Sequence, residues 1–149
     1  MRRVLLIFLF FPAPFFLKAQ SAKDSVIATV KQFFEAMKNA DTAVLKNTLT
    51  DNAILQTIKK DGTKTIVGNE DIKAFIDFVG HQKAGDADEQ IKIESVNSDG
   101  PLATVWTTYQ FFYKGKFSHC GINSFQLVRL DAGWKIQYII DTRKREGCQ

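Results

Sequence analysis

The C-terminal half of the sequence constrains the fold most, because it consists of long alternating segments separated by very short turns. Residues 103–113, 116–130 and 134–142 alternate with a period of two, which is typical of half-buried strands. Lys114 and Gly115 form the first turn, and residues 131–133 form the second. Connections this short join antiparallel neighbours. This part of the chain is therefore expected to form an antiparallel sheet.

Helical patterns are confined to the first part of the chain. Residues 21–39 are predicted to form a helix, because one stripe of apolar side chains recurs at helical spacing. Asp41 is expected to cap a second, shorter helix, and Asn69 is expected to cap a third. The stripe of the first helix consists of Val26, Val30, Phe33, Phe34 and Met37.

Further strands flank the third helix. Residues 53–58 and 64–67 are predicted strands joined through Asp61-Gly62, a strong hairpin signal. Residues 81–89 are polar and are expected to form a loop, after which Ile91 lies in another strand. The order is helix, helix, strand, strand, helix and four strands. It predicts an α+β fold with three early helices against one face of a curved, mostly antiparallel sheet.

The first residues have the character of a secretory signal peptide. Two arginines follow the initiator methionine, an apolar run covers residues 4–11, and Ala19 offers a small residue at a cleavage site. The run is too short and too broken by proline for a good membrane span. We expect residues 1–19 to be removed and residues 20–149 to form one secreted, periplasmic domain without a membrane anchor. The alternative is an uncleaved N-terminal anchor.

Charge and composition exclude several classes of function. Removal of residues 1–19 takes away three basic side chains and lowers the formal charge from +4 to +1, so electrostatics do not favour nucleic acid as a partner. The basic cluster at residues 143–145 is interpreted as a solvated tail. Two cysteines, Cys120 and Cys148, are too few for a zinc motif, and no metal or cofactor is expected. In an exported protein they either form a disulfide or remain a buried thiol and a free one.

Local segments at both ends of the domain resemble one superfamily. They are residues 33–37 followed by Asp41, residues 61–62 leading to 68–72, and residues 133–136 ending at 140–142. These segments and the order of elements resemble the nuclear transport factor 2-like superfamily, which includes SnoaL-like proteins and has a cystatin-like fold. Residues 115–121 are similar to those of exported bacterial members described as putative lumazine-binding. The resemblance implies a cone, in which a strongly bent sheet wraps the first helix around a pocket, and dimers that form through the outer sheet face.

The predicted strand registers assign side chains to the pocket. Tyr113 is paired with Lys116 across one turn, and Leu130 with Trp134 across the next. The face that then carries Trp, His, Asn, Gln and Asp is interpreted as the pocket, and the apolar opposite face as the dimer surface. A bulge at Gly121 would exchange the faces beyond it. The expected ligand-binding residues are Trp106, Thr108, Gln110, Asn123 and Gln137.

Asp141 and His119 are the candidate catalytic residues. Asp141 follows two isoleucines, and an apolar neighbourhood would suit it to general-base chemistry. The alternative is a structural carboxylate paired with Asn123 or Arg143. His119 is a candidate acid, base or hydrogen-bond donor with Gln110 as its expected neighbour; the alternative is a histidine held by a backbone carbonyl.

Three functions remain open from the sequence. The favoured one is a pocket domain that binds a small apolar or heteroaromatic molecule. The second is an isomerase, cyclase or dehydratase that uses Asp141 or His119. The third is a dimeric protein-interaction module. The superfamily hosts all of these, so the fold alone assigns none of them.

Overall fold

The computed structural model describes the backbone of residues 15–148 and the side chains of residues 22–148. Most of the predicted signal peptide lies outside the described residues. The elements are α1 (Phe15–Lys38), α2 (Thr42–Thr48), β1 (Leu49–Asp61), β2 (Lys64–Glu70), α3 (Ile72–Gly80), β3 (Ala87–Asp99), β4 (Leu102–Tyr113), β5 (Lys116–Leu130) and β6 (Gly133–Thr142). None of the helices in this part of the chain has the length and apolar character needed to span a bilayer.

The six strands form one curled sheet in the order β2-β1-β6-β5-β4-β3. The β1–β6 pair is parallel and the other four pairs are antiparallel. Parallel pairing at the centre follows from topology, because a long connection containing the β2 hairpin, α3 and three further strands separates β1 from β6. The predicted α+β fold with three helices against a mostly antiparallel sheet is confirmed.

α1 packs its predicted apolar stripe into the hollow of the sheet. All five stripe residues are buried, and Val26 and Val30 have no exposed surface. Phe33 and Phe34 both make edge-on contacts with the ring of Phe125 on β5, at centroid separations of 6.4 and 5.8 Å. The helix therefore forms the core of the cone with one face and leaves its polar face in solvent.

The two shorter helices begin at aspartate caps. Asp41 accepts a hydrogen bond from the Val44 amide at 3.0 Å, as the sequence predicts. α3 is capped by Asp71, which accepts from the Ala74 amide at 2.6 Å, and the prediction of Asn69 is wrong. Asn69 remains in β2, where its side chain accepts a hydrogen bond from the Gln56 amide across the hairpin.

The β4–β5 hairpin contains a bulge that the turn alone does not reveal. Tyr113 pairs with Lys116, as predicted, but Phe112 then pairs with Phe117 and Phe111 with His119. Ser118 is the extra residue on β5, so every later pair is displaced by one position. Side chains alternate across a sheet, so a displacement by one residue exchanges the two faces of β4. The β4 residues predicted to lie on the same face as His119 therefore lie on the opposite face.

The β5–β6 hairpin contains two departures that cancel. Its turn has two residues rather than three, so Leu130 pairs with Gly133, and Gln137 bulges between the pairs that follow. Beyond that bulge the register returns to the predicted one, with Phe125 opposite Ile139 and Asn123 opposite Asp141. The inward direction of Asp141 therefore follows from two compensating irregularities.

Gly121 allows the end of β6 to approach β5 closely. It pairs with Tyr109 in regular register, so the expected bulge lies at Ser118 instead. A Cβ atom at Gly121 would stand 1.8 Å from the Thr142 carbonyl oxygen, closer than any side chain can come. The tail beyond β6 then forms a backbone bridge between Lys144 and Cys120.

A disulfide fixes this tail to the sheet. Cys120 and Cys148 are bonded with their Cα atoms 5.9 Å apart, which confirms the bridge among the two alternatives. Cys120 is buried beneath the tail, with 2% of its surface exposed. The chain that follows Asp141 is thus held across β5.

Candidate functional site

A cavity of about 370 Å³ lies between α1, α3 and the inner face of the sheet. One side is aromatic, since Phe33 of α1 stacks on Phe75 of α3 with ring centroids 6.0 Å apart. The other side carries nearly all of the polar groups. The lining residues are Phe33, Phe34, Met37, Leu55, Gln56, Thr57, Glu70, Asp71, Ala74, Phe75, Phe78, Glu89, Phe111, His119, Asn123, Phe125, Ile139, Asp141 and Arg143.

The polar end is built from one row of residues that crosses four strands. Thr57 on β1 pairs with Asp141 on β6, Asp141 with Asn123 on β5, and Asn123 with Thr107 on β4. Paired residues on neighbouring strands point to the same face and lie about 5 Å apart. All four are buried, with exposed fractions of at most 9%. Sheet register therefore gathers polar groups that are far apart in sequence.

Asp141 is held by two donors. Arg143 Nε donates to Oδ2 at 2.8 Å, and the Tyr109 hydroxyl donates to the same oxygen at 3.1 Å and lies 2.9 Å from the Thr142 carbonyl. Burial, and then the neighbouring Asp141 and Glu89, raise the pKa of Tyr109, so its hydroxyl stays protonated. Burial is the largest single effect and opposes the Arg143 cation, but the hydrogen bond to Asp141 and the charges of Asp141, Tyr109 and Glu70 together outweigh it and raise the pKa of Arg143. The alternative of an Asp141–Arg143 pair is therefore what the structure contains.

Glu89 is the second carboxyl group of the site. It lies at the start of β3, and Asn123 Nδ2 donates to its Oε1 at 2.8 Å while also contacting Thr107 Oγ1 at 3.3 Å. Burial raises the pKa of Glu89 to about 7, with a contribution from Asp141 that outweighs the opposing Arg143. This carboxyl group can therefore either donate or accept a proton at neutral pH.

His119 lines the cavity beside the aromatic wall. Its ring contacts Phe111 at a centroid separation of 5.1 Å and meets Tyr109 edge-on at 5.7 Å, and Nδ1 lies 3.0 Å from Ser118 Oγ. Burial, and then the Arg143 charge, lower the pKa of His119. The ring is consequently neutral at pH 7 and can serve as a hydrogen-bond donor or acceptor. The expected neighbour Gln110 pairs with Cys120 instead.

Three predicted ligand-binding residues of β4 are placed outside the pocket. The Ser118 bulge turns Trp106, Thr108 and Gln110 to the outer face, where Trp106 is 48% exposed. Thr108 there donates to Glu94 at 3.1 Å. The predicted positions of all three are wrong, because the registers on the two sides of the bulge differ by one residue.

Gln137 also lies away from the cavity. As the bulged residue of β6, it accepts a hydrogen bond from Thr50 at 3.0 Å and donates to the Asn52 carbonyl at 3.2 Å. Its predicted placement in the pocket is therefore wrong as well. Asn123, His119 and Asp141 do line the cavity together.

Several residues of the site are missed by the sequence analysis. Glu89 falls in the segment predicted to be a loop. Tyr109 and Phe111 alternate with Trp106, Thr108 and Gln110, so the prediction that those three face the pocket excludes them from it. Thr57 is inconspicuous in an isolated strand. The available signal was the Ser-His pair at the aromatic end of β5, where a polar residue between Phe117 and His119 marks the bulge. Within residues 22–148 no cluster of three acidic, histidine or cysteine side chains could hold a metal ion.

A comparison with protein families decides the relationship. Residues 21–138 match the family described as putative lumazine-binding. The chain belongs to this family. The match begins within α1 and ends within β6, and it therefore includes part or all of every element that forms the cavity. No curated protein matches the chain.

Solved structures share the fold of this family member. A nuclear transport factor 2-like protein of unknown function from Shewanella baltica has a TM-score of 0.65 at 10% identity, with 91% of this chain and 100% of that chain covered. A nuclear transport factor 2-like protein with a cystatin-like fold from Novosphingobium aromaticivorans gives 0.65 at 15% identity, with 88% and 86% covered. A putative dehydratase from Streptomyces avermitilis gives 0.63 at 16%, with 85% and 98% covered. At these identities the likeness shows the fold alone.

Proposed function

We propose that this protein is an exported, SnoaL-like pocket protein that binds a small, flat, apolar or heteroaromatic molecule. The observation that carries the proposal is the division of the cavity into an aromatic wall and one polar end. Rings such as Phe33 and Phe75 favour a flat ligand through stacking and edge contacts. A few convergent polar groups on an apolar background then orient the ligand and select it.

The size of the cavity supports the same ligand class. A volume of about 370 Å³ accommodates two or three fused rings but no polymer. The family description supplies a suitable probe, since lumazine is a flat bicyclic heteroaromatic compound. We propose lumazine as a representative of the class rather than as the natural ligand.

Fluorescence titration of the purified protein with lumazine tests this function. We expect saturable binding that weakens at least ten-fold in Phe75→Ala, because the stacked ring of the wall is removed. Phe117→Ala is the matched control, since Phe117 lies in a strand of the same sheet but outside the cavity. Absence of binding by lumazine and by flat bicyclic hydrocarbons, or equal loss in both variants, would contradict the proposal.

Acid–base catalysis is the second candidate function, and Glu89 is the observation that favours it. Two carboxyl groups flank Asn123 in the cavity, and one of them exchanges its proton near pH 7. In this proposal the Glu89 carboxylate removes a proton from a carbon next to a ligand carbonyl and returns it at another position. His119 donates a hydrogen bond to the developing enolate oxygen, and Asp141 orients Tyr109 and Arg143 at the same end of the cavity.

Exchange of carbon-bound hydrogen tests this chemistry without a known substrate. The ketone 2-tetralone is incubated with the protein in deuterium oxide, and the loss of its proton signals is followed by NMR. Catalysed exchange that falls about a hundred-fold in Glu89→Gln is expected. Glu35→Gln on the exposed face of α1 is the control. If the exchange rate with protein equals the rate in buffer, or if Glu89→Gln exchanges as fast as the wild type, the catalytic proposal is wrong and the binding proposal stands.

We also propose that two copies pair through the outer sheet face. Trp106 and Ile54 are each 48% exposed there, and Tyr138 and Ile140 lie between them in the register. A contiguous apolar surface of this kind favours association. Sedimentation should give a dimer that dissociates in Trp106→Glu, and a wild-type monomer would oppose pairing.

Export is tested separately by N-terminal sequencing of the periplasmic form, which we expect to begin at Gln20.

A further inference from the structure

The Thr57 hydroxyl is a buried polar group on the cavity wall without a partner. Only 1% of Thr57 is exposed, and among the described residues no atom lies within hydrogen-bonding distance of Oγ1. A buried hydroxyl left in this state destabilises the folded protein, because it has lost its hydrogen bonds to water. Other buried threonines of the fold are satisfied, as Thr48 donates to the Leu45 carbonyl at 2.7 Å. The exception at Thr57 therefore needs a physical reason.

The neighbour of Thr57 across the sheet offers the complementary group. Thr57 and Asp141 are paired on the parallel strands β1 and β6, and both line the cavity. The hydrogen bonds that the described residues make to the Asp141 carboxylate go to Oδ2, from Tyr109 and Arg143. None of these hydrogen bonds goes to the second oxygen, Oδ1, and the register places Asp141 next to Thr57 on the same face of the sheet. A donor and an acceptor thus stand side by side at the polar end.

We propose that this pair recognises an amide-like edge of the ligand, with a ring carbonyl accepting from Thr57 Oγ1 and the adjacent ring N–H donating to Asp141 Oδ1. The inference rests on the proposed binding function and narrows its ligand to cyclic amides, ureas and imides. Thr57 is then a specificity-determining residue, because a ligand without the carbonyl leaves its hydroxyl unsatisfied.

Asn123 and Tyr109, the nearest polar neighbours of this pair, are already engaged. The two protons of the Asn123 amide already point to Glu89 and Thr107, and the one proton of the Tyr109 hydroxyl goes to either Asp141 or the Thr142 carbonyl. These bonds hold the walls in place and leave little capacity for a ligand edge.

Three bicyclic probes separate the elements of the proposal. The probe 2-quinolone carries the N–H and the carbonyl, N-methyl-2-quinolone carries the carbonyl alone, and naphthalene carries neither. Their affinities are measured by titration calorimetry or fluorescence for the wild type, Thr57→Val, Thr57→Ser and Thr48→Val. Thr57→Val removes only the hydroxyl, Thr57→Ser keeps it, and Thr48→Val removes a hydroxyl outside the cavity.

We expect Thr57→Val to weaken both carbonyl probes about ten-fold while naphthalene is unaffected, and Thr57→Ser to bind as the wild type. N-methylation should weaken binding to the wild type about ten-fold, because Asp141 loses its donor. Without ligand, Thr57→Val should melt at or above the wild-type temperature and Thr48→Val below it.

Equal weakening of all three probes in Thr57→Val, or equal binding of both quinolones by the wild type, would overturn the proposal. So would a fall in the ligand-free melting temperature of Thr57→Val as large as that of Thr48→Val, since the hydroxyl would then have an internal partner. Wild-type binding of naphthalene without 2-quinolone overturns the amide edge and leaves the pocket function standing. Binding of no probe overturns the pocket function itself.

Discussion

Glu89 gives the protein a pH-dependent stability that one neutral substitution should remove. Its carboxyl group is buried against Asn123, and its pKa rises from 4.5 to about 7. In the unfolded chain a glutamate has lost its proton above pH 5, whereas in the folded protein Glu89 retains its proton to about pH 7. Folding therefore takes up a proton between these values, and a rise in pH opposes folding.

The magnitude follows from the size of the pKa shift. A raised carboxyl pKa contributes its full stability below the unfolded value and loses it as the pH passes the folded value. With pKa values of 4.5 and about 7, Glu89 contributes roughly 2–3 kcal/mol at pH 5 that is nearly absent at pH 8. For a domain of this size the loss corresponds to about 8 °C in melting temperature.

Urea denaturation of the wild type and Glu89→Gln at pH 5 and pH 8 measures this contribution. Glutamine keeps an oxygen that accepts from Asn123 but cannot ionise, so the stability of the variant relative to the wild type should rise by roughly 2–3 kcal/mol between pH 5 and pH 8. His119 acts in the opposite direction, because its lowered pKa favours stability at higher pH. This contribution is the same in both proteins and cancels when the free energy of unfolding of the wild type is subtracted from that of the variant. The reasoning would be refuted if the free energies of unfolding of the two proteins changed equally between pH 5 and pH 8. It would also be refuted if the wild type became more stable relative to the variant as the pH rises. Glu35→Gln should follow the wild type.

Three further outcomes follow from the tail that closes the polar end. Gly121→Ala should destabilise the protein by at least 3 kcal/mol in urea, because the new Cβ meets a β6 carbonyl at 1.8 Å, whereas Gly68→Ala has its nearest contact at 3.8 Å and should change stability far less. Cys148→Ser should cost about 3–4 kcal/mol by opening a loop of 28 residues, and an unchanged urea midpoint would contradict this. Arg143→Gln should raise the pKa of His119 measured by NMR, because a cation that lowers it is removed; an unchanged titration would show that burial acts alone.

The elements and the core could be predicted from sequence because each depends on local patterns. The apolar stripe of α1 is fixed by helical spacing, the Asp41 cap by its side chain, and the Lys114-Gly115 turn by a residue with positive φ. These signals lie within a few residues of the structure that they determine. The order of elements then leaves few ways to cover one face of a curled sheet.

The site could be predicted only in part, because it depends on register over long distances. One extra residue at Ser118 exchanges the faces of β4, and its only local signal is a polar residue between Phe117 and His119. Two errors on β6, the turn length and Gln137, happen to cancel, so Asp141 and Asn123 were placed correctly. Glu89 reaches Asn123 only because the sheet curls, a property of the assembled fold.

The bulges at Ser118 and Gln137 and the close approach at Gly121 all affect the polar end of the cavity. The Ser118 bulge turns Tyr109 inward, where its hydroxyl holds both Asp141 and the Thr142 carbonyl. Gly121 gives that carbonyl room, and the tail beyond it carries Arg143 back onto Asp141. The carboxylate is thus fixed through one oxygen, Oδ2, by Tyr109 and Arg143. That arrangement leaves its other oxygen and the Thr57 hydroxyl to meet a ligand, and it explains why the irregular positions of the sheet cluster where recognition is proposed.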